Sequence, residues 1–166
     1  MTEIPHEIAV NFMEQAIAQA LTARDMAEVP IGAVIVSQTG EILAVAHNSP
    51  VSLNDPTAHA EILAIRKAAE KAGNYRLPGT TMFVTIEPCP MCAGAMIHAR
   101  VKRVFFGASD PKGGAFGSVM NINSVPGLNH RIEVHGGLLA SRCAHIIRDF
   151  FAERRMAGEI PPADGQ

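Results

Sequence analysis

Two short segments of this sequence combine residue types that bind metal ions and move protons. The first is His59-Ala60-Glu61, and the second is Pro88-Cys89-Pro90-Met91-Cys92. A Cys-x-x-Cys spacing places both sulfurs on one side of a helical turn, so that a single ion can bridge them. A neutral histidine supplies a nitrogen ligand to the same ion. The spacing therefore predicts a zinc site held by His59, Cys89 and Cys92.

Three protein ligands are one short of the tetrahedron that zinc prefers. A catalytic zinc keeps the fourth position for water, which ionises there near neutral pH. Glu61 lies in the same predicted helical turn as His59, where a carboxylate can take a proton from that water and deliver it to a ring nitrogen or a leaving amine. His-x-Glu together with Pro-Cys-x-x-Cys is typical of zinc deaminases that act on nucleobases. We therefore expect a hydrolytic deaminase with one zinc ion per subunit and Glu61 as the catalytic residue.

Other interpretations of these residues stay open. A lone Cys-x-x-Cys also occurs in thioredoxin-like redox pairs and in structural zinc sites. A closed structural site requires a fourth ligand, for which Cys143 and His145 in the last predicted helix are candidates. The chain would then be a zinc-stabilised RNA-binding domain and not an enzyme. Glu61 argues against this alternative, because a structural site has no use for a proton shuttle.

The composition is that of one compact domain. The chain has 166 residues, of which 48% are hydrophobic, and its net charge is −2. This charge argues against a protein that grips nucleic acid non-specifically through a coat of positive charge, although it leaves room for a local basic patch. Three cysteines, two of them in Cys-x-x-Cys, argue against a disulfide framework.

The same composition predicts where the protein works. No apolar run approaches the ~20 residues that span a bilayer. The first seven residues carry two acidic and no basic side chains, unlike the start of a signal peptide. We expect a protein of the reducing cytoplasm that has no membrane association.

Apolar periodicity and turn residues predict the elements that must position the site. Helices are predicted over 6–24, from 57 or 58 to just before Gly73, from 90 or 91 to about 99, and over 138–156. Strands are predicted over 33–36, 41–46, 81–86, 103–107 and 132–135, with a hairpin turn at 38–40. Residues 48–56 are predicted to form a loop, and 108–130 a long structureless segment of the kind that is usually functional.

This order of elements predicts an α/β fold. We expect a three-layer α/β/α sandwich around a five-stranded sheet, and a mixed sheet because its first two strands form a hairpin. Residues 1–156 are expected to form one domain, and 157–166 a flexible tail.

Segments beyond the zinc motif resemble bacterial tRNA-specific adenosine deaminases, within the cytidine-deaminase-like superfamily. The resemblance extends from about Val10 to Arg155. Its segments are Glu28–Val34, Asp55–Glu61, Asn74–Leu77, Glu87–Met96, Val104–Ala108, Asp110–Ser118, Asn129–His130, and Phe150-Phe151 followed by Arg154-Arg155. The resemblance implies a cytidine-deaminase-like fold and a homodimer that converts the wobble adenosine of a tRNA anticodon to inosine, releasing ammonia.

The resemblance also implies roles for residues outside the zinc motif. Asn48 would bond the flipped base, Val29 would line its pocket, and Asp110 would contact a ribose hydroxyl. A 2′-hydroxyl contact separates RNA from DNA, and an asparagine amide both donates to and accepts from a purine. The candidates for holding the backbone of the tRNA anticodon stem-loop are Lys112, His130, Arg154 and Arg155.

Three points stay open within this resemblance. The same zinc chemistry serves deaminases of a free base or nucleotide, such as cytosine, guanine or deoxycytidylate, and the zinc motif does not separate these substrates. Asn48 can equally cap its loop, and the Arg154-Arg155 pair can be a solvated helix end. Residues 156–166 carry two acidic and no basic side chains, unlike the basic tail of many family members, which puts in doubt any tail contribution to RNA affinity.

Overall fold

A computed structural model describes residues 3–161 of the chain. Its five strands are β1 Gly32–Val36, β2 Ile42–His47, β3 Thr81–Ile86, β4 Arg103–Ala108 and β5 Glu133–Gly136. They form one sheet in the order β2-β1-β3-β4-β5. Strand β1 is antiparallel to both of its neighbours, whereas β3, β4 and β5 are parallel. The predicted five-stranded mixed sheet is confirmed.

Helices cover both faces of this sheet. They are α1 His6–Asp25, α2 Pro50–Leu53, α3 Ala60–Ala72, α4 Pro90–Ala99 and α5 Ala140–Met156. Helices α1 and α5 pack on the face to which Val34 and Phe83 point, and α3 and α4 pack on the face of Ala33 and Ile35. Because successive strand residues point to opposite faces, a strand covered on both sides has an unbroken apolar sequence. The three-layer sandwich is confirmed.

Two glycines allow the helices of the first face to approach the sheet closely. A Cβ atom added to Gly32 would lie 1.9 Å from the carbonyl oxygen of Ala16 in α1. A Cβ atom added to Gly107 would lie 2.4 Å from Sγ of Cys143 in α5. Cys143 is therefore a small apolar side chain packed between α5 and the sheet.

Helices α1 and α5 run in parallel. Ion pairs join Glu14 to Arg142 near the start of α5, and Arg24 to Glu153 near its end. Because Cys143 already lies against Gly107 close to the end of β4, the rest of α5 extends beyond the carboxyl end of that strand.

Two helices begin later than the sequence predicts, each for a local reason. Helix α3 begins at Ala60 because Oδ1 of Asp55 accepts hydrogen bonds from the N–H and the hydroxyl of Thr57, which holds this stretch as a turn. Helix α5 begins at Ala140 because Gly137 and Leu139 have left-handed backbone conformations, with φ of 92° and 54°.

The predicted loop over 48–56 contains the short helix α2. Pro50 occupies its first turn, where a missing N–H is harmless, and Asn54 ends it with a φ of 48°. The carboxylate of Glu28 accepts hydrogen bonds from the N–H groups of Val51 and Ser52. The groups that stabilise α2 thus lie more than 20 residues from it in sequence.

The chain continues past α5 in a hydrogen-bonded turn. The N–H groups of Gly158 and Glu159 donate to the carbonyls of Arg155 and Arg154. Residues 162–166 of the predicted tail lie outside the described residues, so the flexibility of that tail stays a prediction. Within residues 3–161, no helix is long and apolar enough to cross a bilayer.

Candidate active site

One edge of the sheet gathers the predicted site residues. Strands β2, β3 and β4 end there, and the antiparallel β1 begins there, so that Gly32 pairs with His47. We call this the carboxyl edge. The segments that leave it carry Asn48 after β2, Cys89 after β3 and Asp110 after β4, and Val29 precedes β1. The topology therefore brings together residues that lie far apart in sequence.

The metal-binding side chains stand at the starts of two helices. His59 and Cys89 are the N-cap residues of α3 and α4, and Cys92 lies in the first turn of α4. Neither N-cap side chain accepts a hydrogen bond from its own helix. Both are therefore free to bind an ion.

The distances in this group fit a single zinc-sized ion. Nδ1 of His59 lies 3.7 Å from Sγ of Cys89 and 3.6 Å from Sγ of Cys92. Two ligand atoms on a tetrahedral zinc ion are expected about 3.5 Å apart, from usual Zn–N and Zn–S bond lengths. One imidazole nitrogen and two sulfurs are also a donor set that zinc prefers. His59, Cys89 and Cys92 could thus hold a metal ion together.

Without a bound ion, the pKa values of the two thiols are shifted in opposite directions. A hydrogen bond from Cys92 lowers the pKa of the Cys89 thiol to about 4, and His59 adds to this effect against the opposing burial. The start of a helix also favours the thiolate. Cys92 holds the proton of this pair, and burial further raises its pKa. A cation at this site would favour loss of that second proton.

A closed structural site would need a fourth side chain to join this group. Within residues 3–161, His59, Cys89 and Cys92 form the only cluster of three or more side chains able to bind a metal ion. Cys143 packs against Gly107 on the face of the sheet opposite to α3 and α4. His145 lies on α5, where its Nδ1 is 2.7 Å from the carbonyl oxygen of Ser141. The closed structural site therefore lacks its fourth ligand in the part of the chain that the structure describes.

Glu61 is buried beside the metal-binding group. The residue is 3% exposed, and its Oε2 is buried with no hydrogen-bond partner among the described residues. Burial raises the pKa of Glu61 to about 7, and the charge of Cys89 also raises it. A buried carboxylate oxygen without a partner is costly, so it marks a place where function opposes stability. A carboxyl with a pKa near neutrality is suited to accept and return a proton.

Asn48 links the end of β2 to the catalytic turn. Its Oδ1 accepts a hydrogen bond of 3.0 Å from the N–H of Ala60, which is the first residue of α3. Asn48 therefore caps the first turn of α3 and not its own loop, which was the alternative expected from the sequence. Because its oxygen is engaged, the amide nitrogen is the group left to donate to a ligand.

The segment before β1 is tied down next to this turn. The buried carboxylate of Glu28 accepts hydrogen bonds from the Ser52 hydroxyl at 2.8 Å and from the N–H of Val51 at 3.3 Å. Val29 follows Glu28 and is half-buried. Glu28, the residue before the predicted pocket residue Val29, is therefore held to α2.

Asp110 and Lys112 lie in the segment that leaves the carboxyl edge after β4. Oδ1 of Asp110 accepts the N–H of Lys112 at 3.0 Å, and the N–H of Asp110 donates to Oε2 of Glu87 at 3.1 Å. The Lys112 side chain is exposed. Sequence reasoning did not find the link to Glu87, because it joins residues 23 positions apart.

The other three predicted RNA contacts lie further from the metal-binding group. Nε2 of His130 is 2.7 Å from the carbonyl oxygen of Val101, which precedes β4 and so lies at the opposite edge of the sheet. Arg154 donates to Glu159 at 2.9 Å and to the carbonyl oxygen of Ala27 at 3.4 Å, in the segment before β1. Arg155 is its neighbour in the last turn of α5. The structure does not bring His130 together with the rest of the site.

Comparison with known proteins shows the family to which the chain belongs. A model of the MafB19-like deaminases matches residues 9–155, and the chain belongs to this family. The protein is therefore an enzyme of the deaminase class.

Individual relatives resemble the chain over most of its length. It is 48% identical over 146 residues to the tRNA-specific adenosine deaminase of Agrobacterium fabrum. The aligned residues cover 88% of this chain and 95% of that protein. A solved structure from work on A-to-I editing by tRNA:A34 deaminases at the wobble position is 48% identical, with a TM-score of 0.79 over 82% of this chain and 98% of that one. A guanine deaminase from Nitrosomonas europaea has a TM-score of 0.70 at 25% identity, covering 92% and 87% of the two chains. The free-base deaminase is thus the more distant neighbour.

Proposed function

We propose that this protein is a zinc-dependent hydrolytic deaminase that converts the wobble adenosine of a tRNA anticodon to inosine and releases ammonia. The observation that carries the proposal is the buried Oε2 of Glu61, which has no hydrogen-bond partner within residues 3–161, beside the cluster of His59, Cys89 and Cys92. The choice of substrate is supported by 48% identity to a tRNA-specific adenosine deaminase over most of both chains.

One zinc ion per subunit is the metal that this donor set favours. His59, Cys89 and Cys92 would hold it, and three protein ligands from the described part of the chain would leave a fourth position for water. When bound, zinc lowers the pKa of water toward neutrality and so supplies a nucleophile. The start of α4, where both cysteines lie, favours the thiolate form that binds a cation.

Glu61 would move the protons of the reaction. Hydrolysis adds water at C6 of adenine, breaks the C6–N bond of the exocyclic amine and yields inosine and ammonia. Oε2 of Glu61 accepts a proton from water and donates it to the ring nitrogen N1. A second proton transfer through the same carboxyl converts the amine to its leaving form. The buried position excludes bulk water from this exchange.

The residues around the carboxyl edge would select the base and its sugar. The free amide nitrogen of Asn48 would donate to an acceptor atom of the flipped adenine, and Val29 would form part of the apolar wall. The half-buried carboxylate of Asp110 would accept a hydrogen bond from a nearby 2′-hydroxyl, which DNA lacks. A loop nucleotide is already partly unstacked, so flipping it costs less than extracting a base from a duplex.

The remaining contacts would hold the anticodon backbone. Lys112 and the Arg154-Arg155 pair lie on segments that border or extend beyond the carboxyl edge. His130, at the opposite edge, would reach the same RNA only through a second copy of the chain. We propose a homodimer for this reason. Exposed apolar side chains on α2 and on the 109–130 segment support an interface with a partner, among them Val51 and Val119 at 72% and 54% exposure.

One assay tests this function directly. The purified zinc-loaded protein is incubated with an anticodon stem-loop that contains a wobble adenosine, and in parallel with free adenosine, cytidine and guanine. We expect inosine in the stem-loop and little turnover of the free compounds. Equal or faster turnover of guanine or cytidine would favour a free-base deaminase, which the structural likeness to the guanine deaminase makes the second candidate.

A further inference from the structure

The carboxylate of Glu87 is the centre of a hydrogen-bond cluster that the proposed reaction does not use. Glu87 is 2% exposed and lies two residues before Cys89. Its Oε1 accepts the N–H groups of Phe116 and Ser118 at 3.0 and 3.1 Å. Its Oε2 accepts the N–H of Asp110 at 3.1 Å and the hydroxyl of Ser118. Four donors from one segment, residues 109–118, therefore converge on a single side chain.

The fit around this carboxylate is close. A Cβ atom added to Gly114 would lie 2.3 Å from Cδ of Glu87, so any larger residue there would displace the carboxylate or the segment. A further backbone hydrogen bond of 2.9 Å runs from Ala115 to the carbonyl oxygen of Pro88. Within residues 3–161 no lysine or arginine forms an ion pair with Glu87. Its negative charge is balanced by the N–H and O–H donors of the 109–118 segment.

We propose that Glu87 is a positioning residue that fixes the 109–118 segment, and with it Asp110, relative to the metal-binding helix start of α4. The same short stretch of chain, Glu87–Cys92, holds two metal ligands and the anchor of the RNA-facing segment. The distance between the reacting centre and the ribose contact is thereby set by one rigid turn. This inference rests on the proposed function for its effect on RNA, although the anchoring itself does not depend on it.

The isosteric variant Glu87→Gln tests the anchoring. An amide has one acceptor oxygen and one donor nitrogen. With the amide nitrogen in place of Oε2, the Ser118 hydroxyl can rotate to accept, but the N–H of Asp110 loses its acceptor. The opposite orientation would leave the N–H groups of both Phe116 and Ser118 without an acceptor. The variant should therefore adopt the first orientation, in which only the N–H of Asp110 loses its acceptor. Ser118→Ala removes the hydroxyl alone and should have a smaller effect in the same direction.

We expect Glu87→Gln to keep its zinc and to raise the KM for the anticodon stem-loop about tenfold or more, with a smaller change in kcat. The matched control is Glu133→Gln, the same substitution at a carboxylate that pairs with Arg103 at the opposite edge of the sheet. That control should lower Tm without changing KM. An equal KM for Glu87→Gln and the parent would overturn the proposal.

A double-mutant cycle separates positioning from a general structural role. If Glu87 acts through Asp110, Glu87→Gln combined with Asp110→Asn should raise KM little more than the stronger single variant. Effects that multiply would show two independent contributions and contradict the proposal.

Hydrogen exchange of the zinc-loaded protein without RNA gives a readout that is independent of the substrate. Glu87→Gln should speed exchange most at Asp110, whose N–H loses its acceptor, whereas Glu133→Gln should not. Unchanged exchange there would overturn the anchoring even if the RNA assay succeeds. Conversely, a parent enzyme with no activity on the stem-loop would refute the proposed function, while the exchange data would still decide the role of Glu87.

Discussion

Oδ1 of Asn48 accepts a hydrogen bond from the N–H of Ala60, the residue that separates His59 from Glu61. One side chain thus joins the end of β2 to the turn that carries a metal ligand and the buried carboxyl. The bond also orients the Asn48 amide, because the oxygen must face Ala60 and the nitrogen must face away. The capping function therefore uses the amide oxygen of Asn48, and the proposed contact to the base uses the amide nitrogen. A mutation that changes only one of these atoms separates the two functions.

Asn48→Asp should remove only one of these functions. Aspartate caps a helix as well as asparagine does, so the bond to Ala60 persists, but the nitrogen donor is gone. We expect zinc content close to the parent value, a lower Tm because the new carboxylate stands at a position only 5% exposed, and kcat/KM for the stem-loop at least tenfold lower. Asn48→Ala should lose activity too and should lower stability by about 0.5–2 kcal/mol. An Asn48→Asp variant as active as the parent would leave Asn48 as a cap alone.

The metal should depend on three side chains and not on the third cysteine. Cys89→Ser and Cys92→Ser should lose most bound zinc after gel filtration, because each removes one of three protein ligands. Cys143→Ser should retain close to one zinc per chain, since Cys143 packs against Gly107 on the other side of the sheet. Elemental analysis of the folded proteins measures this directly. Loss of zinc from Cys143→Ser would favour the alternative of a closed structural site in which Cys143 is the fourth ligand.

Much of the metal-binding group is predictable from sequence because the required geometry is local. Three-residue spacing in one helical turn places Cys89 beside Cys92 whatever the rest of the fold does. Strand β3 was predicted at its observed bounds, Thr81–Ile86, because β-branched and apolar residues there are flanked by a clear turn and by prolines.

The anchors of the site are not predictable in this way. Glu28 and Glu87 satisfy backbone N–H groups more than 20 residues away, and no local pattern specifies such partners. For the same reason α2 was predicted as loop, since its first N–H groups are capped by a remote carboxylate. The one sequence signal for such an anchor is an acidic residue, such as Glu28 or Glu87, within an apolar or motif-bearing stretch.

Glu61→Gln should separate stability from activity. The variant removes a buried charge whose Oε2 has no hydrogen-bond partner among the described residues, so Tm should equal or exceed that of the parent. Turnover of the stem-loop should fall by at least ~10²–10⁴-fold, because the carboxyl serves more than one proton transfer. Calorimetry measures Tm and single-turnover rates measure activity, while zinc content checks that the metal site is intact. Activity within a few-fold of the parent would exclude Glu61 as the proton shuttle.

The two arginines at the end of α5 should differ in role. Arg154 is engaged with Glu159, the carbonyl of Ala27 and the ring of Phe150, whereas Arg155 forms no ion pair within residues 3–161. We expect Arg155→Gln to weaken binding of the stem-loop and to reduce its salt dependence by about one phosphate contact. Arg154→Gln should mainly lower Tm. Fluorescence anisotropy at several salt concentrations distinguishes the two, and the reverse pattern would exchange their assignments.

The ribose contact gives the sharpest test of RNA selectivity. Oδ1 of Asp110 already accepts the N–H of Lys112, so its second oxygen is the freer acceptor for a 2′-hydroxyl. Replacing ribose by deoxyribose around the target adenosine should therefore weaken the parent enzyme severalfold and should weaken Asp110→Asn much less, because the variant has already lost a charged acceptor.

With a net charge of −2, the protein should also show a shallower salt slope than one that makes six to ten phosphate contacts, for which the slope is roughly −5 to −9. The measurement is kcat/KM for ribose and deoxyribose stem-loops with both proteins at two ionic strengths. An equal ribose preference in the parent and in Asp110→Asn would place the discrimination at another residue.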